Sequence, residues 1–339
     1  MKPISLSRRR QLLDYVEPLE PLGFSASRIL QPHSLSRWLY GAPDDWIPMR
    51  AAVSAMSSAA RATGDDLYGF WVAEQDEIGN LHTIGRAVAN AVTLYDALTT
   101  VCRLIKFHSP ALQLWLTIEG DKVWFCRREP PGGEIDSRHM EQYLLVKMTQ
   151  VVRLGLGSGW RPRGIKLHVP DAKHVASSAL CGDATIHCGQ PYTAIGFSRN
   201  ELCLSVQRAG PKPGPAWYQA LRHHPPPEGF IDSLRHVVDS HLSEGALRIE
   251  DVADFAGVSV STLKRWLAKD QLTYTKLVAQ TRHKAAQRRL SDPTMPIRDI
   301  AYDLGYSDVP HFHRAFRRWA GVTPGEYRQH LLRQPHRLN

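Results

Sequence analysis

No run of about 18 consecutive apolar residues occurs in this 339-residue chain, so no membrane-spanning helix is predicted. The first ten residues are basic but lead into no apolar stretch or cleavage site, and no secretory signal is predicted. Cysteine is scarce: Cys102, Cys126, Cys181, Cys188 and Cys203 make an odd count without a CxxC pair. Free thiols in a reducing cytoplasm fit that pattern better than a disulfide framework or a zinc site. No GxSxG, P-loop, HExxH or strand-following GxGxxG stands out. The sequence therefore offers no sign of an enzyme, and neither cofactor nor metal is expected. What is present is an ordinary globular composition, 43% hydrophobic and 22% charged, able to bury a core. The length suits two domains.

The net charge of +9 suits a polyanionic partner, because Lys and Arg that neutralise phosphates release condensed counterions. From residue 230 onward there are 17 Lys and Arg against 12 Asp and Glu, a net of +5. The basic excess is thus shared by both halves, and charge alone does not locate a nucleic-acid site.

A change in composition divides the chain. Gly210-Pro211-Lys212-Pro213-Gly214-Pro215 and His223-His224-Pro225-Pro226-Pro227 fit neither a helix nor a sheet, since proline fixes φ and removes donors. They predict a stiff linker over 207–230. The histidine pair could ligate a metal, but no partner stands at ligand spacing, and a solvated linker is the plain alternative.

Before the linker, residues 1–206 read as an α+β domain. Met49, Val53, Met56 and Ala60 predict a helix over 47–62. Leu94, Ala97, Leu98, Val101, Leu104 and Ile105 predict another. Alternation at Leu112, Leu114, Leu116 and Ile118, a turn at 119–122 and a run at 123–127 predict a hairpin. A long helix follows over 140–154, with Tyr143, Leu144, Lys147 and Val151 along it. Short strands are expected at 165–169, Ile186 and 195–197. Tyr68, Phe70, Trp71, Trp115 and Trp124 could line a ligand pocket, or, as aromatics on strands, could be core. Cys181, His187 and Cys188 admit a metal or redox reading beside that of small buried thiols. No individual effector-binding residue can be named.

After the linker, residues 231–331 read as all α. A helix-turn-helix needs a small residue where its helices cross, a turn residue tolerant of positive φ, and apolar positions that fix the crossing angle. From Ile249 the chain supplies Ala253 as the small residue, Gly257 in the turn, and Val252, Ala256, Val258, Leu263 and Trp266 as the apolar set. Ser259 is placed to cap the second helix, 260–269. Its polar side offers Ser261, Thr262, Lys264, Arg265 and Lys269.

A second copy follows, with Ala301 lying 48 positions after Ala253. Ile297, Ile300, Ala301, Leu304, Gly305 and Tyr306 repeat the first half. Its turn is one residue longer, because Phe312 lies 11 positions after Ala301 whereas Leu263 lies 10 after Ala253. Ser307 or Asp308 can cap the second helix, and Pro310 suits its first turn. Phe312, Ala315, Phe316 and Trp319 form an apolar stripe. His311, His313, Arg314, Arg317 and Arg318 are expected outside, where Arg can read guanine bidentately. Between the copies, 274–290 reads as one helix with Leu277, Val278, Thr281, Ala285 and Leu290 inward. Such a helix would fix the separation of two reading heads, and successive major-groove faces recur at about 34 Å.

The run Asp299-Ile300-Ala301-Tyr302-Asp303-Leu304-Gly305-Tyr306-Ser307-Asp308 closely resembles the C-terminal signature of the AraC/XylS family. So do Phe312-His313-Arg314-Ala315-Phe316-Arg317-Arg318-Trp319 and Gly321-Val322-Thr323-Pro324-Gly325-Glu326-Tyr327-Arg328. The likeness covers about residues 230–331, includes Arg282 on the linking helix, and implies that the helices at 260–269 and 308–319 are recognition helices. Arg282 itself could contact phosphate or tie the linking helix to its neighbours.

Residues 1–206 resemble, more weakly, the effector domain of the arabinose-binding-type subgroup. That likeness rests on Ala60-Arg61-Ala62-Thr63-Gly64-Asp65, on Ser109-Pro110-Ala111-Leu112, and on Cys188-Gly189, where such proteins often carry Phe-Gly. The resemblance implies a sequence-specific transcription regulator with double-stranded DNA, a small-molecule effector and RNA polymerase as partners, acting as a homodimer in the cytoplasm. Arabinose itself is not implied. Control by a partner protein or by oligomer state, without a small molecule, is the alternative. An enzyme domain fused to a DNA-binding module is a further one, but it would need zinc-holding and reactive cysteines in a context this sequence lacks.

Overall fold

A computed structural model describes residues 4–40, 44–76, 82–128, 138–206, 227, 229–245 and 247–333. The chain divides into two compact units. One comprises Ser5–Asp45 with Met49–Pro226, and the other comprises Pro227–Asn339 with the short pieces Met1–Ile4 and Trp46–Pro48. The linker expected over 207–230, with its His223–His224 pair, lies outside the described residues as far as 226. Among the described residues no helix is long and apolar enough to cross a membrane.

The larger unit is α+β. Its helices are α1 (Arg9–Val16), α2 (Ala26–Leu30), α3 (Met49–Thr63), α4 (Tyr68–Glu74), α5 (His82–Ala89), α6 (Leu94–Leu104) and α7 (Arg138–Leu156). Two three-residue strands, β1 (Leu6–Arg8) and β2 (Trp46–Pro48), occur early in the chain. The main sheet holds β3 (Gln113–Glu119), β4 (Lys122–Arg128), β5 (Gly164–Lys166), β6 (Thr185–His187) and β7 (Thr193–Ser198) in the order β3-β4-β7-β5-β6. All neighbours are antiparallel except β5 and β6.

Register explains the two sheet faces. Leu114 pairs with Arg127 and Leu116 with Phe125, and Phe125 pairs with Ile195, so these residues share one face. Arg127 on that face meets Glu141 of α7 in a buried ion pair. On the other face Trp124, Cys126 and Ala194 form a small cluster covered by Trp115 and Tyr192. Gly196 makes room for it, since a Cβ there would lie 2.9 Å from the Trp124 ring.

The start of α3 departs from the sequence expectation. The helix predicted from 47 begins at Met49, because Pro48 disfavours helical backbone at Ile47 and Trp46–Pro48 is extended. A second departure concerns Tyr68, Phe70 and Trp71, which lie on α4 and not on a strand. There Gly69 packs flush on α7, where any side chain would collide with the His139 carbonyl. Gln142 of α7 completes the junction by accepting from Gly69 N at 3.1 Å and donating to Asp66 O at 2.8 Å. Contact with α7 thus overrides the strand preference of the aromatics.

In the smaller unit every regular element described from Phe230 to Arg333 is helical: α8 (Phe230–Asp239), α9 (Ile249–Phe255), α10 (Val260–Lys269), α11 (Tyr274–Leu290), α12 (Ile297–Asp303), α13 (Val309–Ala320) and α14 (Pro324–Arg333), with a 3-10 turn at Leu242–Glu244. Leu234, Leu242, Leu263, Leu277, Ala285, Leu290, Ile300, Phe312 and Phe316 are each at most 1% exposed and form its core.

Candidate nucleic-acid interface and effector pocket

Helices α9 and α10 form the first helix-turn-helix. Its turn passes through Gly257 at φ +67°, in the left-handed region where glycine carries no steric penalty. Ser259 caps α10, its hydroxyl accepting from Thr262 N at 3.2 Å. Ala253 is buried, which allows the two helices to approach. Leu263 and Leu267 are buried, and Trp266, half-buried, sets its ring edge-on to Phe230 at 5.0 Å.

The second unit repeats this with α12 and α13. Gly305 has φ +74°, and a Cβ there would collide with the carbonyl oxygen of Leu242, so glycine is required twice over. Of the two residues able to cap α13, Asp308 does so, accepting from His311 N at 2.7 Å. Those hydrogen bonds hold the Asp308 carboxyl below the usual carboxylate range. Pro310 stands in the first turn. Ala301, Phe312, Ala315 and Phe316 are buried.

Helix α11 joins the pair and is fixed at both ends. Thr273 caps it, and Tyr274 donates to Leu247 O at 2.6 Å, just before α9. Near its far end Arg289 pairs with Asp303 of α12 at 3.6 Å and Arg288 with Asp239. Arg282 ties the linking helix to its neighbour through a cation–π contact, its guanidinium lying 5.1 Å from the centre of the Tyr306 ring.

Eight of the ten side chains expected on the outer faces are exposed: Ser261, Lys264, Arg265, Lys269, His311, Arg314, Arg317 and Arg318. Thr262 and His313 are half-buried. The Thr262 hydroxyl accepts from Ser259 at 3.0 Å, and the His313 ring lies 6.2 Å from that of Phe312. His311 is exposed but engaged, with Nδ1 2.6 Å from Asp308 Oδ2. The solvent side of α10 and α13 therefore carries three arginine and two lysine heads spread from the second turn to the last of helices whose N-termini are capped, an arrangement suited to phosphate and base-edge contacts. Arg318 adds a further guanidinium to α13.

The larger unit holds a pocket that the sequence did not locate. It lies between α5, α6, α7 and the inner face of β3 and β4, with about 670 Å³ of space that is in part open to solvent. Phe125 and Tyr143 are its aromatic lining residues. The five aromatics singled out from sequence lie elsewhere. Trp124 and Trp115 belong to the opposite sheet face, and Tyr68, Phe70 and Trp71 to α4. The polar lining includes Ser109, Arg127 and Lys147. The one signal for it in the sequence is Lys147, a cation standing within the apolar period of α7. As for the thiols, burial pushes Cys181 up to about 11, and it donates to Val175 O at 3.1 Å.

Comparison with known proteins agrees with this division. Residues 252–330 match the family described as a helix-turn-helix domain. Residues 23–206, more than half of the chain, match the N-terminal arabinose-binding domain of AraC transcription regulators. The HTH-type transcriptional regulator VirS of Mycobacterium tuberculosis is 23% identical over 328 residues, covering 96% of each protein. The transcriptional activator NphR of a Rhodococcus species is 30% identical over 103 residues, 30% of this chain and 31% of its own. The crystal structure of the transcriptional regulator CdpR from Pseudomonas aeruginosa covers 90% of this chain and 98% of its own, at 20% identity and a TM-score of 0.37.

Proposed function

This chain belongs to the AraC-type DNA-binding transcriptional regulators with an arabinose-binding-type N-terminal domain, and from that premise we propose that α10 and α13 are its two reading heads. Ser261, Lys264, Arg265 and Lys269 on the first, with His311, Arg314, Arg317 and Arg318 on the second, make the DNA contacts. Thr262 and His313 contribute at the edges of these surfaces. Ala253, Gly257, Leu263, Trp266, Ala301, Gly305, Phe312 and Phe316 hold the helix pairs in shape. Residues 1–206 form the effector and dimerisation domain, 207–230 the linker and 231–331 the DNA-binding domain. The pocket between α5, α6, α7 and the inner sheet face is the effector site. The protein works by binding and not by turnover, as a homodimer in the cytoplasm, and acts on RNA polymerase at its promoters as an activator.

The observation that carries this reading is the shared construction of the two helix pairs. Each has a positive-φ glycine in its turn, a side-chain cap and a buried stripe, with cations left on the outside. The test begins with a genome-wide map of bound sites in the source bacterium. A recovered site is then titrated with the full chain in a gel-shift assay. Arg314→Ala and Arg317→Ala should each weaken binding by at least about ten-fold while the melting temperature stays unchanged, since each contact to a charged group is worth about 1.5–3 kcal/mol. A phosphate contact should also flatten the dependence of log K on log salt by about one unit. Full affinity in both variants would remove α13 from the interface.

A further inference from the structure

We propose that the pocket of the larger unit takes an acidic amphiphile, a monocarboxylate with an alkyl or aryl body, with Lys147 as the cationic anchor and the Ser109 hydroxyl as a second donor. This rests on the reading of that pocket as the effector site and names the chemistry it selects.

Its walls are mostly hydrocarbon, with Ile84 and Val88 of α5, Val101 of α6, Leu114 of β3 and Met148 of α7 among them. Ile105, Leu112 and Leu144 also line it and are only half-buried. A sugar, with a hydroxyl on nearly every carbon, would find most of them facing alkyl groups and would lose its hydration without replacement. The polar lining residues are Gln11, His108, Ser109, Arg127 and Lys147, with the hydroxyl of Tyr143, and they differ in how well each is already satisfied; Gln11 accepts from Ser7. Arg127 has Glu141 as its counter-ion, and Glu141 also accepts from Thr193 at 2.5 Å, so that pair is balanced within the protein.

Lys147 is not balanced in the same way. It is 6% exposed, and its ammonium donates to the backbone oxygen of Asp76. It stands 3.9 Å from the Asp76 carboxylate, itself 30% exposed, and 5.4 Å from the centre of the Tyr143 ring. The nearby Asp14 carboxylate is held by Arg10 at 2.7 Å. With its nearest carboxylate oxygen 3.9 Å away on a partly exposed residue, the ammonium is under-compensated for its burial, in keeping with the lowering of its pKa by desolvation. Ser109 is 1% exposed, and among the described residues its Oγ finds no hydrogen-bond partner. An unsatisfied buried hydroxyl and an under-compensated buried ammonium in one apolar pocket both gain from a carboxylate, which accepts hydrogen bonds and carries the missing charge. A neutral or cationic head group answers at most one of them.

The test measures melting temperature and equilibrium binding of the full chain with octanoate and 4-phenylbutyrate, against octan-1-ol, octylamine and arabinose. A ligand of the folded state raises the melting temperature with concentration. The acids are expected to bind at least about tenfold more tightly than the alcohol, and the amine and the sugar to give no shift. Lys147→Met should erase the preference for acid over alcohol while retaining the alcohol. Ser109→Ala should weaken the acids by about tenfold. Val88→Phe, which fills the pocket, should abolish both, and with Ser109→Ala it decides the matter should Lys147→Met fail to fold. Equal binding of alcohol or amine, acid binding that survives Val88→Phe, or no shift with any probe overturns the proposal.

Affinity for a recovered DNA site, measured with and without octanoate, separates the two readings. Pocket-bound acid that leaves DNA affinity unchanged supports the ligand class and refutes effector control. Pocket-bound alcohol preferred over acid refutes the ligand class and leaves effector control standing.

Discussion

At Gly305 the backbone takes φ +74°, and the space where a side chain would begin is filled by the Leu242 carbonyl. An alanine there meets the left-handed penalty of about 1–2 kcal/mol and must also displace the 3-10 turn at Leu242–Glu244. Gly305→Ala should therefore cost at least about 2 kcal/mol, read as a lower midpoint in urea unfolding at unchanged slope. Asp14 offers a residue-scale test in the other unit. Burial raises its carboxyl to about 6, against the pull of Arg10 and from an ordinary value of 3.8. The folded state thus binds a proton that the unfolded chain releases more easily. Asp14 therefore penalises folding at neutral pH, and that penalty fades as pH falls through about 6 towards about 4. Asp14→Asn should be more stable relative to wild type at about pH 7 than at about pH 5. A difference between the two melting temperatures that does not change with pH would contradict this assignment.

Whole helices show where sequence reasoning succeeds and where packing overrules it. Helices α10 and α11 occupy 260–269 and 274–290 as predicted, because Ser259 and Thr273 cap their N-termini and Leu263 and Leu267 on the first, with Leu277, Val278, Thr281 and Ala285 on the second, recur at helical spacing. Ser259→Ala should cost about 1 kcal/mol by removing the cap of α10, and Ser259→Asp should recover most of it; thermal melts of the two variants compare them directly. Helix α1 was not legible. It buries Arg9 and Gln11 beside Leu12 and Leu13, so its polar residues sit on the inner side and blur the 3.6-residue pattern on which the reading depends. The aromatics of α4 suggest a strand, and the flush contact of Gly69 with α7, with the hydrogen bonds of Gln142, explains its helical form. The outer faces of α10 and α13 were legible apart from Thr262 and His313. Their partial burial follows from contact with a cap and with a neighbouring ring, which residue spacing does not encode.

At the scale of the molecule, the order β3-β4-β7-β5-β6 brings residues some 70 positions apart into one ladder. The pocket exists only because that ladder lies against α6 and α7. This is why Ser109, Arg127 and Lys147 carried no joint signal along the chain, whereas the DNA-binding half, built from neighbours, did. Helix α11 has 17 residues, a rod of about 25 Å, and it is tethered at Leu247 and Asp303. A rod of set length makes demands on the partner as well as on the protein. If α10 and α13 engage successive turns of one duplex, inserting about five base pairs between their half-sites rotates one of them to the far side of the helix, and inserting about ten restores the facing but not the reach. Gel-shift affinity should fall to that of a single half-site in both cases, so that the promoter, no less than the protein, would carry the length of α11 in its spacing.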